Sequence, residues 1–403
     1  MKKIFAIIFA ILMVFALASC GKKEVEPEPE PDPVPVEEKL KVGLICLHDE
    51  NSTYDLNFIN AFNTMCKEMD VEAVIKTNVP ETEECYNTAA DLADAGCVLI
   101  FADSFGHEDF MIQAAKEFPE VQFCHATGTK AHTEGLENYH NAFAAIYEGR
   151  YLDGVAAGMK LNEMMAEDPD LVPQVGYVGA YTYAEVISGY TSFFLGVRSE
   201  CPTATMEVTF TGSWYDETAE KEAANKLIND GCVFISGHAD SMGAPTVCEN
   251  LGVPFVFYNG SVQDACPNTF IVSTKIDWTP YFKYCVQHVK YGFPIDTDWT
   301  GTISTGSVVM TDVNETVAAE GTAERLTEIT AKFIAGEMDV FDTSTFTVGG
   351  EVVTSYLADV DTDPEYAGDT EAIVAGAFQE SVFRSAPYFD LRIDGIMLAD
   401  EVY

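Results

Sequence analysis

An internal repeat constrains the fold of this chain more than any other feature of its sequence. Residues 96–104 read GCVLIFADS, and residues 231–241 read GCVFISGHADS. In both copies Gly precedes a short apolar run that leads to Asp-Ser, a pattern typical of a buried parallel strand followed by a polar loop. Ala and Leu stand seven and four residues before each Gly, the spacing of one face of a helix that ends at Gly.

The repeat extends beyond these two stretches. Residues 41–46 correspond to residues 174–179, and residues 121–124 correspond to residues 253–256. The offsets are 133, 135 and 132 residues, a period too long for a solenoid repeat. We therefore predict an α/β fold of two doubly wound, Rossmann-like lobes with a central cleft. Ligands of such sheets bind at the carboxyl ends of the strands, which places the expected site in the cleft.

The repeat also suggests how the chain is divided between the lobes. Residues 40–128 are predicted to form the first part of lobe 1, and residues 129–273 to form lobe 2. Residues 274–403 are expected to return to lobe 1 and then to form a C-terminal segment. Residues 138–161 contain closely spaced small residues, which predicts a tightly packed helix near a crossover between the lobes.

The first 39 residues have the character of an export and anchoring segment. Residues 1–19 combine a basic start with an apolar run, as in a secretory signal peptide. Leu17-Ala18-Ser19-Cys20 resembles a bacterial lipobox, which predicts lipidation of Cys20; the alternative is an uncleaved membrane anchor, for which the run is short. Residues 20–39 are rich in Pro and Glu and are predicted to be an extended linker.

The formal net charge of -43 limits the possible partners. A strongly acidic chain repels the phosphates of nucleic acids and the headgroups of anionic lipids. Binding to nucleic acid or directly to a lipid surface is therefore not expected. A neutral or cationic small ligand fits this charge better than a polyanion does.

The chain has 11 cysteines but no C-x-x-C motif, so zinc and redox motifs receive little support. Most of the cysteines lie in apolar runs, as at Cys46, Cys97 and Cys124, and are predicted to be buried thiols. A disulfide between Cys201 and Cys266 remains open, because secretion permits disulfides.

Several classes of protein compete with a binding protein. The sequence lacks the G-x-S-x-G, Walker, H-E-x-x-H and G-x-G-x-x-G motifs, which argues against an enzyme. His48-Asp49-Glu50 and His238-x-Asp240 could bind a metal, but their spacing is not that of a known site, and we predict no metal and no cofactor. A receptor that reports ligand to a membrane kinase remains an alternative. A DNA-binding regulator is not expected, because no basic helix-turn-helix is found.

An ordered set of motifs resembles the basic membrane protein family of solute-binding lipoproteins of ABC transporters, and within it the purine-binding branch. The motifs run from residue 103 to residue 278: Asp103-Ser104-Phe105-Gly106, His125-Ala126-Thr127-Gly128, Arg150-Tyr151-Leu152-x-Gly154, Val175-Gly176-Tyr177-Val178, Gly212-Ser213-Trp214-x-Asp216, Gly237-His238-Ala239-Asp240-Ser241 and Asp277-Trp278.

This resemblance implies the fold of type I periplasmic-binding proteins, a hinge of about three strands and no catalysis. It also implies a protein that is anchored by lipid to the extracytoplasmic face of the cell membrane. There a monomer would capture a small molecule between its lobes and present it to an ABC transporter permease.

The resemblance further implies that the ligand is a purine base or nucleoside. In the purine branch the first loop carries Gly-Trp-Thr-Tyr, whereas here it reads Asn51-Ser52-Thr53-Tyr54. Ser52 therefore stands where the branch has a ring that could stack on a base. A sugar or another polar solute is the alternative ligand.

The candidate site residues all lie in loops after predicted strands. Trp214 would offer a flat ring for a planar ligand, or else it is a core residue. Asp103 and Asp240 occupy equivalent loops of the two lobes, where they would accept hydrogen bonds from ring N–H groups or cap the next helices. The remaining candidates are Ser52, Tyr54, Ser104, Phe105, Tyr181 and His238.

Overall fold

The computed structural model of the chain describes residues 39–360 and 368–400. The predicted signal peptide, Cys20 and the linker up to residue 38 lie outside the described residues. The main strands are β1 (Lys41–Ile45), β2 (Glu72–Lys76), β3 (Cys97–Ala102), β4 (Gln122–Ala126), β5 (Tyr139–Ala144), β6 (Gln174–Gly179), β7 (Thr205–Phe210), β8 (Phe234–Gly237), β9 (Phe255–Tyr258), β10 (Phe270–Ile276), β11 (Asp298–Gly301) and β12 (Val308–Met310).

Helices alternate with these strands. They are α1 (Thr53–Met69), α2 (Glu83–Asp94), α3 (Glu108–Glu117), α4 (Ala131–Glu134), α5 (Ile146–Glu167), α6 (Ala184–Glu200), α7 (Glu217–Asn229), α8 (Gly243–Leu251), α9 (Thr279–Tyr291) and α10 (Thr322–Ala335). The C-terminal part adds the short strands β13 (Leu357–Ala358), β14 (Thr370–Glu371), β15 (Ile373–Val374), β16 (Ala377–Phe378) and β17 (Ile396–Leu398).

Two mainly parallel sheets form the centres of the two lobes. Lobe 1 has the strand order β11-β5-β4-β3-β1-β2, and lobe 2 has the order β12-β10-β9-β8-β6-β7-β17. The first five strands of each lobe thus share the doubly wound order 2-1-3-4-5. This agreement confirms the predicted fold of two Rossmann-like lobes and the structural meaning of the repeat.

The repeated glycines end equivalent helices. Gly96 follows α2 with φ of 88°, and Gly231 follows α7 with φ of 105°. A residue with a side chain rarely adopts this left-handed region, whereas Gly does so without steric cost. The chain can therefore turn sharply from each helix into the next buried strand, β3 or β8.

The tightly packed helix predicted within residues 138–161 is α5, but a strand that the sequence did not reveal precedes it. Residues Tyr139–Ala144 form β5, which pairs in parallel with β4, and α5 begins only at Ile146. All six residues of β5 are buried. A strand covered on both faces lacks the apolar–polar alternation that identifies a strand in sequence. The first part of lobe 1 therefore ends at residue 144 and not at residue 128.

The chain passes between the lobes three times, at β5–α5, β10–α9 and β11–β12. Trp278, just before α9, stacks on Phe58 of α1 at 4.4 Å between ring centroids, which holds α9 on lobe 1. The return to lobe 1 is limited to α9 and β11. The rest of the C-terminal part mainly covers lobe 2, where Phe333 of α10 joins the core and β17 pairs with β7. Ser381 and Ser385 also form hydrogen bonds with β11 of lobe 1.

The ten cysteines within the described ranges are all buried and unbridged, so Cys201 and Cys266 form no disulfide. No helix in the described part of the chain combines the length and apolar character that crossing a bilayer requires.

Two glycines allow α5 and α6 to cross at backbone contact. A Cβ atom at Gly154 would lie 2.0 Å from the carbonyl oxygen of Phe193. A Cβ atom at Gly196 would lie 2.1 Å from the carbonyl oxygen of Tyr151. Since backbone atoms cannot move aside as a flexible side chain can, neither position accepts a larger residue without separating the helices.

We expect Gly154→Val to destabilise the protein by about 2–3 kcal/mol or to prevent folding, because overpacking a helix interface carries a cost of this size. Gly336→Ala is the control. Gly336 ends α10 with φ of 65° and no neighbouring atom within 4 Å of an added Cβ, so only a backbone cost of about 1–2 kcal/mol applies. Urea denaturation measures both variants, and equal stability for the two would contradict the role of the crossing.

Candidate functional site

A cavity with about 390 Å³ of empty space, part of which is open to solvent, lies in the cleft, between loops at the carboxyl ends of the strands of both lobes. Lobe 1 supplies residues that follow β1, β3 and β4, and lobe 2 supplies residues that end or follow β6, β7, β8 and β9. The lining residues are Leu47, His48, Tyr54, Asp55, Ser104, Phe105, Thr127, Glu185, Trp214, His238, Asp240 and Tyr258.

Direct hydrogen bonds join the lobes beside the cavity. The Asn57 side chain of α1 donates from Nδ2 to Oδ1 of Asn259 at 3.1 Å. The Thr53 hydroxyl donates to the carbonyl oxygen of Tyr258 at 3.4 Å. Both donors belong to lobe 1 and both acceptors to lobe 2, so the lobes are in contact and the cleft is closed.

Two pairs of rings also meet across the cleft. Phe105 of lobe 1 lies 5.3 Å from Tyr183 of lobe 2, and His48 of lobe 1 lies 5.5 Å from Tyr215 of lobe 2, measured between ring centroids. Phe105 is 37% exposed although it lines the cavity. The Phe105–Tyr183 pair therefore stands at the boundary between the cavity and solvent.

Trp214 is held by its own loop and by a second aromatic residue. The loop turns at Gly212, which has φ of 72°, and the Trp214 carbonyl oxygen accepts a hydrogen bond from the Asp240 backbone N–H at 2.9 Å. The ring of Tyr181 meets the ring of Trp214 edge-on at 5.1 Å. Trp214 thus presents a supported, half-buried aromatic surface to the cavity.

Two of the carboxyl groups in the cavity resist ionisation. Burial raises the pKa of Asp240, and the nearby carboxylates of Asp55 and Glu220 raise it further. Burial raises the pKa of Glu185 to about 7, while the positive charge of Arg150 opposes this shift. Near neutral pH, the charge on these two groups therefore depends on their electrostatic surroundings.

Asp55 is the carboxylate that is best stabilised in its ionised form. Burial disfavours its charge, but hydrogen bonds from His48 and Ser52 outweigh this effect and lower its pKa. The His48 backbone N–H donates to Oδ1 at 2.8 Å, and the Ser52 hydroxyl donates to Oδ2 at 2.6 Å. Asp55 is therefore expected to carry a negative charge in the cavity.

His238 adds a neutral imidazole to the same wall. Burial and the charge of Arg150 lower its pKa, so the ring remains neutral. Its Nδ1 lies 3.2 Å from the Tyr177 hydroxyl, and its Nε2 lies 3.5 Å from Oε1 of Glu185. If Tyr177 donates to Nδ1, the proton stays on Nε2, and the cavity gains one N–H donor beside its carboxyl groups.

Six of the nine residues predicted from sequence line this cavity. They are Tyr54, Ser104, Phe105, Trp214, His238 and Asp240. All six lie in or directly after strand-end loops, which is why the sequence pattern could identify them.

The other three predicted residues, Ser52, Asp103 and Tyr181, do not line the cavity. Ser52 is buried as the N-cap of α1, where its hydroxyl accepts from the Asp55 N–H. Asp103 is buried behind the wall and accepts a hydrogen bond from the Leu47 backbone N–H at 3.0 Å. Tyr181 supports Trp214 from the side.

Sequence reasoning missed several lining residues, most importantly Asp55, Glu185 and Tyr258. Each lies in or beside a loop that had been recognised, but on the first turn of the following helix or at the last position of a strand. The Ser52-x-x-Asp55 spacing, which is that of a helix N-terminus, could have identified Asp55.

Cys46, Asp55 and Asp103 bring three potential metal-binding atoms within 4.8 Å of one another. Both oxygens of Asp55 already accept hydrogen bonds from His48 and Ser52. Burial and the charge of Asp55 raise the pKa of Asp103. We therefore expect Asp103 to carry a proton, which allows its carboxyl group to lie close to the carboxylate of Asp55.

Comparisons with known proteins agree with this geometry. Residues 48–343 match the model of the Bmp family, described as ABC transporter substrate-binding protein PnrA-like. A purine-binding protein of Brucella abortus is 32% identical over 252 residues, which are 61% of this chain and 67% of that protein. A Haloferax volcanii protein with the name "Putative ABC transporter glucose-binding protein TsgA13" is 30% identical over 249 residues, 62% of this chain and 60% of that protein.

Solved structures support the same fold. An ABC transporter solute-binding protein from Conexibacter woesei has a TM-score of 0.60 at 20% identity, covering 74% of this chain and 97% of its own. One from Aeropyrum pernix has a TM-score of 0.61 at 15% identity, covering 77% and 94%. The family-model match over residues 48–343 confirms the family that the motifs suggested. The chain belongs to the PnrA-like family of substrate-binding proteins of ABC transporters.

Proposed function

We propose that this protein captures a purine base or nucleoside in the closed cleft and presents it to an ABC transporter permease without chemical change. The observation that carries the proposal is the composition of the cavity. Its lining combines the flat ring of Trp214 with the three carboxyl groups of Asp55, Glu185 and Asp240, and it includes no Lys or Arg.

This composition favours a planar ligand that donates hydrogen bonds. Carboxylates accept hydrogen bonds and repel anions, so nucleotides and other phosphorylated compounds fit poorly. Purines offer ring N–H and exocyclic amine donors, and their faces stack on aromatic rings. The name of the Brucella relative is consistent with this choice.

A sugar is the second candidate. Sugar hydroxyls also donate to carboxylates, and Ser52 replaces the Trp of the purine branch. The name of the Haloferax relative points in the same direction. The two candidates differ in the donors that they bring to the carboxyl groups: purines bring ring N–H and amine groups, whereas sugars bring hydroxyl groups.

Ligand class can be tested on protein that has been unfolded and refolded to remove any bound ligand. We expect purine bases or nucleosides to raise the melting temperature. At a concentration 100-fold above Kd, a ligand stabilises the folded state by about 2.7 kcal/mol. Pyrimidine nucleosides, hexoses and amino acids serve as controls. The bound nucleoside should be recovered intact. A response to hexoses alone would contradict the purine proposal, and release of free base would indicate an enzyme.

Trp214→Ala should weaken binding by about tenfold to a hundredfold, because one stacked ring contributes about 1–3 kcal/mol to binding. Trp299→Ala is the matched control. Trp299 is also partly buried, but it lies on β11 against Tyr281, outside the cavity. Calorimetry and thermal melting should show lost affinity with a stable fold for the first variant, and lost stability with normal affinity for the second. The reverse pattern would make Trp214 a packing residue.

Asp240→Asn should weaken binding to a similar degree, because a ligand amine loses one of two acceptor oxygens and meets an N–H donor in its place. Asp103→Asn is the control, since Asp103 holds the equivalent position in lobe 1 but does not line the cavity. Titration calorimetry of both variants is the measurement. If both variants lost the same affinity, Asp103 and Asp240 would act together in binding. The residues that line the cavity would then not be the whole binding site.

The proposal includes lipid anchoring through Cys20, which lies outside the described residues. The lipobox at residues 17–20 supports it. Cys20→Ser should move the protein from the membrane fraction to the soluble extracytoplasmic fraction and abolish labelling by radioactive palmitate. Cys46→Ser, at a buried core position, is the control that should keep the label. Unchanged membrane retention of Cys20→Ser would contradict the anchor.

A further inference from the structure

Two polar groups in the wall of the ligand cavity have no hydrogen-bond partner among the residues that the structure describes. They are the hydroxyl of Tyr258 and Nε2 of His238. Both side chains line the cavity, and both are almost completely buried. A buried polar group without a partner is rare in folded proteins and requires an explanation. Because both groups belong to the cavity wall, a bound ligand can supply the missing partner.

The aromatic ring of Tyr258 has a structural role that its hydroxyl does not share. Tyr258 is the last residue of β9, and the guanidinium Cζ of Arg150 lies 3.7 Å from the centroid of its ring. The ring of His238 lies 4.9 Å from the same ring, measured between centroids. A phenylalanine would offer the same flat surface to both neighbours. Packing therefore explains an aromatic ring at this position, but it does not explain a hydroxyl group.

The adjacent asparagine does not satisfy this hydroxyl. The Asn259 side chain lies close to Tyr258, but its Nδ2 is also without a hydrogen-bond partner in the described part of the chain. Its Oδ1 accepts a hydrogen bond from Asn57 of lobe 1 at 3.1 Å. The contact between the lobes thus orients the Asn259 amide, and the Tyr258 hydroxyl remains unpaired.

His238 places a second unpaired donor on the same wall. Its Nδ1 lies 3.2 Å from the Tyr177 hydroxyl, and we infer that this hydroxyl donates to Nδ1. A neutral imidazole carries one proton, so the proton of His238 then lies on Nε2. Nε2 is 3.5 Å from Oε1 of Glu185 but forms no hydrogen bond with it. The wall therefore offers an N–H donor beside the hydroxyl of Tyr258.

We propose that Tyr258 determines specificity by donating a hydrogen bond from its hydroxyl to an acceptor atom of the ligand, beside the Nε2–H of His238. This inference rests on the proposed function and deepens it. The carboxyl groups of the cavity accept hydrogen bonds, whereas Tyr258 and His238 donate them. The ligand must therefore carry acceptor atoms as well as donors. The ring nitrogens and carbonyl oxygens of purines meet this requirement.

The first test measures guanosine binding by titration calorimetry, on protein refolded without ligand. Tyr258→Phe removes only the hydroxyl and keeps the ring against Arg150. It should raise Kd about tenfold, the loss expected when one hydrogen bond to a ligand is removed. Tyr139→Phe is the control. Tyr139 is also fully buried, but its hydroxyl donates to Oε1 of Glu108 at 3.1 Å, outside the cavity, so its removal should leave Kd unchanged.

The second test is thermal melting without ligand. Tyr258→Phe should melt at the same temperature as the unmodified protein or higher, because it removes a buried hydroxyl that no protein group satisfies. Tyr139→Phe should melt lower, because Glu108 loses a donor in the core. If Tyr258→Phe lost as much melting temperature as Tyr139→Phe, the hydroxyl would be bonded within the protein. That result would overturn the proposal, whatever the ligand.

Glucose, the second candidate ligand, separates this inference from the proposed function. If guanosine binds Tyr258→Phe as tightly as the unmodified protein, only the role of Tyr258 is overturned. If glucose binds and guanosine does not, the purine proposal is wrong. The role of Tyr258 is then decided with glucose, for which the same tenfold loss is expected because sugar oxygens are also acceptors. If neither compound binds, both proposals are overturned.

Discussion

The parallel arrangement of the strands determines where this protein can bind a ligand. In a parallel sheet every strand ends at the same edge, so loops that are far apart in sequence meet there. The chain contains two such sheets, and their carboxyl edges face the same cleft. Every residue that lines the cavity ends a strand, follows one, or begins the next helix. The sheets fix the positions of the strand-end loops, and the side chains of these loops supply the groups that can contact a ligand.

The closed cleft places acidic groups in an environment that does not suit their charge. Asp55, Glu185 and Asp240 share one small cavity, and burial disfavours ionisation of all three. Hydrogen bonds stabilise Asp55 as an anion, whereas the other two lack comparable donors. A ligand with N–H groups would supply these donors. Ligand binding would therefore favour the closed state over an open one, which is how a binding protein couples capture to closure.

Arg150 and the Gly154–Gly196 crossing show that α5 serves two purposes. Its glycines let α6 approach at backbone distance and so support the core of lobe 2. Four residues before Gly154, the same helix carries the buried Arg150, whose Nη1 donates to the carbonyl oxygen of Gly237 at 2.8 Å. The helix thus packs against α6 along one stretch and contacts the end of β8, next to His238 of the cavity wall, along another.

The repeat was visible in sequence because buried parallel strands are short apolar runs between Gly and polar residues, as in β3 and β8. It was sufficient to predict two similar lobes and a site in strand-end loops, and the motifs were sufficient to predict the family. Strand β5 was missed because His140 and Asn141 interrupt its apolar run, although both are buried and hydrogen-bonded in the folded protein.

Only the tertiary structure decided which residues of each loop line the cavity. Ser52 and Asp55 lie three residues apart, yet one caps a helix and the other lines the cavity. Asp103 and Asp240 occupy equivalent loops, yet only Asp240 enters the cavity. The order of residues along a loop specifies which groups are near the site. The direction of each side chain depends on backbone turns and on contacts with the other lobe, which form only when the whole chain has folded.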